Sequence, residues 1–334
     1  MDTDYKIPDK PEIYTLGCVV IGRNEGERLR ASLESIPDYI RKQTVYVDSG
    51  SSDGSQELAR QYGINVIELE DDKPFTAARA RNEGAEKLLK LYPKIQYIQF
   101  IDGDCILEPG WLSYAQSYLE ENTDVAIVCG RRREKYPESS IYNWLCDVEW
   151  DTPIGEAQFC GGDFCIKSSS FTMLGGFNPT LIAGEEPDLC FRLRNMGKKI
   201  HRLDRTMTWH DANIHSLKQW MIRSKRGGYA YVDAVIRYAY NKNGYWRSEF
   251  FKALTWGLAV PILSITATLL NPYFAFIFFI YPLNVIKIAV RSHKLSRPFH
   301  YGFFMILSKF SESAGILTYF IHRMQKTRTL IEYK

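Results

Sequence analysis

Apolar and polar positions along residues 14–102 follow two alternating periods. Tyr14–Ile21, Thr44–Val47, Asn65–Leu69 and Ile95–Ile101 read as strands, rich in β-branched residues and closed by polar or turn residues. Between them Glu25–Ser35 has helical spacing, with Leu29 and Leu33 on one face, and Ser55–Tyr62 and Phe75–Leu91 read as further helices. Strand, helix, strand at this pitch predicts an α/β fold, a mostly parallel sheet flanked by helices. In such sheets ligands gather beyond the carboxyl ends of the strands. Polar residues just past Ile21, Val47 and Ile101 are therefore expected to converge on one crevice. Residues 1–12, with two prolines and six charges, read as a flexible lead-in.

The pattern changes in the last third. Ala253 to Ile286 is a run of 34 residues without a charged side chain. One helix of that length would run about 51 Å, well beyond a hydrocarbon core of about 30 Å. Asn271-Pro272 divides it into Ala253–Leu270 and Tyr273–Val290, 18 residues each. Arg247 and Lys252 precede this 253–290 hairpin, Arg291, Lys294 and Arg297 follow it, and the turn between has no basic residue. The positive-inside rule then puts both ends on the cytoplasmic side. Two readings stay open, since Pro261 and Pro282 also suit a hairpin that dips into one leaflet. Residues 302–321, apolar but carrying Lys309 and Glu312, read as an amphipathic surface helix. The closing Arg323, Lys326 and Arg328 suit anionic headgroups.

Charge follows the same division. The chain has 42 Lys/Arg and 39 Asp/Glu, a net +3. Residues 236–334 hold 13 basic against 3 acidic residues, and residues 1–235 hold 29 against 36. An acidic body is thus followed by a basic, membrane-associated tail, and nothing in the balance points to nucleic acid. Seven cysteines, an odd number without regular spacing, argue against a disulfide scaffold. No CxxC, HExxH, GxGxxG or P-loop pattern occurs; the first strand is followed by Gly22-Arg23-Asn24-Glu25-Gly26. No apolar secretion signal opens the sequence, and a reducing cytoplasm is the expected setting for the body.

Three acidic clusters carry the candidate chemistry. Asp48-Ser49-Gly50-Ser51-Ser52-Asp53-Gly54 closes the second strand, and Asp102-Gly103-Asp104 closes the fourth. Paired carboxylates at a strand end suit Mg²⁺ or Mn²⁺, which take oxygen ligands and share them with substrate phosphates. A turn of solvated aspartates is the plainer account of any one such pair. Glu185-Glu186-Pro187-Asp188-Leu189 marks a helix start, with Pro187 in the first turn and acidic groups complementing the dipole.

CVVIGRNEGERLRASLES from Cys18, VDSGSSDGS, Ala78-Arg79-Ala80-Arg81-Asn82-Glu83-Gly84, FIDGD, Gly161-Gly162-Asp163 and GEEPDLCFRL occur in that order. The set resembles the family 2 glycosyltransferases of the membrane-associated type over about residues 14–230. The resemblance implies a Rossmann-like GT-A domain over 13–235, followed by membrane-associated helices over 236–334. It further implies a nucleotide-diphosphate sugar donor (UDP- or GDP-type), a divalent cation and inversion at the anomeric carbon. By its register Asn24, Glu25 and Asp48 line the base and ribose end of the nucleotide, and Arg81 sits near the donor. Asp102 and Asp104 form the metal pair, with Asp104 the direct ligand. Glu186 stands where the family has the Asp of a Glu-Asp pair and takes the role of base, with Glu185 as its competitor. His210 is the implied third ligand, with His215 as the alternative. Arg226 is placed near the diphosphate, although a solvated helix face accounts for it equally.

The implied function is sugar transfer to a lipid or lipid-linked acceptor at the cytoplasmic membrane face. A nucleotidyltransferase that makes the sugar nucleotide would need a Gly-rich, Arg-containing loop after the first strand and no membrane tail. A non-catalytic scaffold of the same fold would have lost carboxylates, and all of them are present.

Overall fold

The computed structural model describes residues 15–241 and 244–325, in two compact units. The lead-in 1–12 and the basic residues Lys326 and Arg328 lie outside the described residues.

The first unit comprises residues up to 181 and 185–213. Its elements run β1 Leu16–Gly22, α1 Glu27–Ser35, α2 Asp38–Arg41, β2 Thr44–Asp48, α3 Ser55–Gln61, β3 Asn65–Glu68, α4 Ala77–Leu91 and β4 Tyr97–Asp102. There follow β5 Cys105–Leu107, α5 Trp111–Glu121, β6 Val125–Glu134, α6 Ile141–Glu149, β7 Gly155–Glu156 and β8 Phe164–Lys167. α7 Ser168–Met173, α8 Glu185–Asn195 and β9 Lys199–His210 complete the unit. The sheet order is β3-β2-β1-β4-β8-β6-β9-β5, with β7 on β9. The parallel pairing expected from the sequence holds across β3-β2-β1-β4. Beyond β4 the sheet is mixed, because β8 returns antiparallel to both β4 and β6.

Two registers set up the crevice. Gly22 pairs with Asp48 and Ile21 with Asp102, so the carboxylates ending β2 and β4 flank the end of β1. Cys105 pairs with His210, which brings the turn after β4 to the end of β9. β1 is covered on both faces and reads as a continuous apolar run for that reason.

Helix starts differ from the sequence reading by two residues, with local causes. α1 begins at Glu27 because Asn24 and Gly26 adopt positive φ and bind the 51–53 loop instead. α4 begins after Thr76, whose hydroxyl accepts the Arg79 N–H as an N-cap.

The second unit comprises 182–184 and residues from 214 on. It contains α9 Leu217–Arg237, α10 Arg247–Leu254, a π turn Thr255–Ala259, α11 Val260–Leu270, a 3₁₀ stretch Pro272–Phe279, α12 Ile280–Arg291 and α13 Pro298–Gln325. The boundary drawn at 235 from the change of charge therefore shifts to Asn213/Ile214. The reason is packing: a Cβ on Gly315 of α13 would lie 2.0 Å from the Lys225 carbonyl oxygen of α9, so the two backbones touch. α13 is likewise more than a surface helix. Phe304, Ile306, Glu312 and Ile316 are buried, with Lys309 Nζ 2.8 Å from the Glu312 carboxylate.

Pro261 removes the donor to the Gly257 carbonyl, and the π turn sits just before it. Arg247–Leu270 and Pro272–Arg291 are long and apolar enough to cross a membrane. Leu269, Leu270 and Tyr273 are more than four-fifths exposed, at 81%, 82% and 86%. Such a surface makes a soluble helical unit costly in water. The full chain is expected to sediment with membranes and stay there in 1 M-class salt, because salt screens charges and not apolar insertion; release by salt alone, with detergent unnecessary, would contradict this.

Candidate active site

Asp163, directly before β8, is fully enclosed. Its Oδ2 accepts Arg132 Nε (2.9 Å) and Thr208 Oγ1 (2.8 Å), and its Oδ1 accepts the Asp102 N–H (3.0 Å). One carboxylate thus ties β4, β6 and β9 together at the end of the sheet. Arg132 also reaches Asp102 Oδ2 at 3.1 Å, and Arg81 of α4 reaches Asp102 Oδ1 at 2.7 Å. Burial alone would raise the Asp102 carboxyl, but the Arg81 and Arg132 guanidiniums override it and hold the group well below the usual carboxylate range. The second arm of Arg81 bonds Glu185 Oε1 at 2.9 Å, linking the sheet to the first turn of α8.

Gly162 closes this network. A Cβ there would lie 2.7 Å from Asp102 Oδ2 and 3.0 Å from Arg132 Nη2. Only glycine lets the loop before β8 pass over the ion pairs.

Asp104 and His210 meet through the Cys105–His210 register. His210 Nε2 lies 3.2 Å from Asp104 Oδ2, and both side chains are nearly enclosed. Burial, followed by the Arg132 charge, lowers the imidazole to about 4 against the pull of Asp163 and Asp102, so it is neutral at physiological pH. The Trp150 ring stands edge-on to it at 4.8 Å. His210 Nδ1 is buried without a hydrogen-bond partner among the described residues. A neutral imidazole beside a carboxylate is a fitting donor pair for Mn²⁺. Among the described residues Asp102 and Asp163 pair with Arg132, Asp102 and Glu185 pair with Arg81, and Asp104 meets His210. Cys105 lies within the same cluster, but burial pushes its thiol far up, so it stays protonated.

The nucleotide-end residues divide. Asn24 Oδ1 accepts the Ser52 N–H (2.8 Å), and its own N–H donates to Ser51 Oγ (2.8 Å). Glu25 pairs with Arg28 at 2.7 Å. Asp48, expected to line the nucleotide, is wholly buried. Its Oδ1 accepts Gly50 N–H, Ser51 N–H and Gln56 Nε2, and its Oδ2 accepts the Tyr46 hydroxyl. Asp48 shapes the 48–54 loop from within.

The two glutamates of α8 also separate. Glu185 reaches Arg81, whereas Glu186 turns to the other side. Glu186 Oε1 accepts the Cys160 N–H at 2.6 Å and the Cys190 thiol at 3.0 Å. Burial raises the Glu186 carboxyl, and these donors offset it only in part. Arg226 belongs to the second unit, where its Nη2 donates to the Ile182 carbonyl at 3.3 Å. His215 is also there, its N–H donating to Gln219 Oε1 beside the α9 cap. Arg132 and Trp150 were missed from sequence; the signal for Arg132 was an arginine run continuing an otherwise apolar strand.

Asp163→Ala removes the acceptor of Arg132 Nε, Thr208 Oγ1 and the Asp102 N–H in the interior. It is expected to cost about 3–5 kcal/mol, read as a lower denaturant midpoint of the first unit, and unchanged stability would contradict the central role of this carboxylate.

Residues 18–163 match the sequence profile of Glycosyl transferase family 2. The chain is 31% identical over 121 residues to Glycosyltransferase AglE of Haloferax volcanii, 34% of this chain and 38% of that protein. It is 22% identical over 245 residues to the Pre-mycofactocin glycosyltransferase of Mycobacterium tuberculosis, 69% of this chain and 50% of that protein. It therefore spans half or less of the length of these relatives. In structure it is similar to the mannosyltransferase PcManGT from Pyrobaculum calidifontis in complex with GDP-Man and Mn²⁺, with TM-score 0.62 and 17% identity over 91% of this chain and 87% of that one. It is also similar to S. aureus TarS 1–349 in complex with UDP-GlcNAc, with TM-score 0.50 and 12% identity over 93% and 92%. At these identities the structural likeness speaks for the fold, and the profile speaks for the family. Residues 18–163 thus carry the glycosyl transferase family 2 profile, on a GT-A fold.

Proposed function

We propose that this protein is an inverting glycosyltransferase that moves a sugar from a nucleoside-diphosphate donor to a lipid or lipid-linked acceptor at the cytoplasmic membrane face. The observation that carries the reading is the assembly of Asp102, Asp104 and His210 at the strand ends. The relatives whose structures hold GDP-Man or UDP-GlcNAc support a donor of GDP or UDP type. The exposed apolar helices support a lipid acceptor, and their basic flanks support the cytoplasmic face.

In this reading Asn24, Glu25 and the 48–54 loop hold the base and ribose, while Asp104 and His210 hold the cation. When bound, that cation supplies charge stabilisation to the departing diphosphate. Arg81 keeps Asp102 ionised and oriented and stands beside the donor. Arg226 is kept as a candidate diphosphate contact, since a guanidinium suits it. Glu186 takes the proton from the acceptor hydroxyl as that oxygen attacks the anomeric carbon. The family register selects it over Glu185. Burial raises the Glu186 carboxyl and the Cys160 N–H fixes its carboxylate, whereas Glu185 is committed to Arg81.

Two experiments follow from these assignments. In thermal-shift measurements on the full chain, Mn²⁺ is expected to strengthen UDP or GDP binding, and Asp104→Asn to remove that enhancement with little loss of stability. The enhancement should persist from pH 8 down to about 5 and fade as pH falls towards about 4, because His210 protonates there rather than near 6.5. Nucleotide binding indifferent to Mn²⁺ would overturn the metal assignment.

Glu186→Gln keeps an acceptor for the Cys160 N–H and removes the base. Transfer should fall by about 10²–10⁴-fold with nucleotide affinity nearly intact, while Glu185→Gln retains more activity and binds donor less well. Near-normal turnover in Glu186→Gln would hand the role to Glu185.

A further inference from the structure

Arg132 points into the site, but the arginines on either side of it serve something else. Arg131, Arg133, Arg202 and Arg205 line a cavity of about 820 Å³ beside α6 and β9, within the first unit. Three carboxylates share its wall: Asp147, Asp151 and Asp204. Four guanidiniums against three carboxylates leave one positive charge in excess.

The pairing is also loose. Arg131 to Asp147, Arg131 to Asp151, Arg133 to Asp147 and Arg202 to Asp151 all stand at 3.4 Å, beyond a good charge-assisted hydrogen bond. The Asp151 side chain is 63% exposed, so its share of the attraction is screened. Arg131 Nη1 and Arg202 Nε are buried and have no hydrogen-bond partner among the described residues, although Arg202 is only 4% exposed. Burial lowers the Arg131 guanidinium; Asp147 and Asp151 counter it, and the crowding of Arg133 and Arg202 adds to it. A buried guanidinium with unused donors among like charges is an unfinished anion site. At its mouth Pro153 and the 58% exposed Ile154 add an apolar wall, which a bare inorganic anion would leave unused.

We propose that this cavity is a phosphoryl-binding subsite, built to take a phosphomonoester carried on an organic group, apart from the donor diphosphate. The two ends of the cavity match the two ends of such a ligand: guanidinium donors for the phosphoryl oxygens, Pro153 and Ile154 for the carbon skeleton. Its neighbourhood links it to the proposed chemistry. Arg131 and Arg133 adjoin Arg132, which bonds Asp102 and Asp163, and Asp151 follows Trp150, whose ring meets His210.

The test is calorimetric titration of the full chain in EDTA, with inorganic phosphate in one arm and phenyl phosphate in the other. Saturable binding is expected in both. Tighter binding of phenyl phosphate marks an organic phosphate; equal affinity marks a site for the free anion and overturns the organic part of the proposal. Arg131→Gln with Arg202→Gln should weaken binding at least tenfold. Since Arg202 is enclosed and its loss costs stability, Arg133→Gln with Arg205→Gln, on more exposed side chains, provides a second pair expected to weaken binding several-fold at unchanged melting temperature. Asp104→Asn should leave phosphate affinity as it is, which separates this site from the cation pair. No saturable binding in the wild type, or unchanged affinity in both arginine pairs, would overturn the proposal.

Discussion

The buried carboxylate of Asp163 is the point on which the site's geometry rests. A charge enclosed in the interior is tolerated only when its hydrogen bonds are filled, and here they come from three strands: Arg132 on β6, Thr208 on β9 and the Asp102 N–H on β4. Because the Asp102 N–H is one of those bonds, the turn after β4 is fixed in place before any ligand arrives. Asp102 then holds Arg81, and Arg81 holds Glu185, so the constraint passes from the sheet to α4 and on to α8. The crevice is a consequence of how one carboxylate is satisfied.

The same constraint separates two adjacent glutamates. Ionic pairing to Arg81 fixes Glu185 as part of the framework. Glu186, one residue on, points elsewhere along the helix and meets a backbone N–H and a thiol. Adjacent residues of like chemistry thus meet unlike surroundings, an ionic partner for Glu185 and neutral donors for Glu186.

Much of the first unit was legible in the sequence because its strands are covered on both faces and read as plain apolar runs, as in β1 and β4. The helices between them carry clean spacing, and their starts shifted only where a side chain such as Asn24 was drawn into a loop. The meeting of Asp104 with His210 was legible only through family register, since 106 positions separate them and the pairing of β5 with β9 that joins them has no local signature. Asp48 shows the opposite case. Its place at a strand end was evident, but its enclosure by Tyr46, Gly50, Ser51 and Gln56 depends on loop geometry that spacing does not encode. The split at Asn213/Ile214 was missed because the count was cut at 235, although α9 is already basic like the tail, with Lys218, Arg223, Lys225, Arg226 and Arg237 against Asp233, and its buried face belongs to α13.

The seven cysteines, scattered without pattern in the sequence, share one condition in the fold: all are buried and unbridged. Cys160 and Cys190 bring their sulfurs within 3.4 Å beside Glu186 and still remain two thiols. Burial pushes the thiols of Cys18, Cys105, Cys129, Cys160, Cys165 and Cys190 far above their ordinary range, so almost none is present as the reactive thiolate. The native chain is therefore chemically quiet towards alkylating reagents and peroxides despite its sulfur content. Those reagents would meet sulfur only through openings of the fold, which makes their rate of reaction a built-in clock for the breathing of the core.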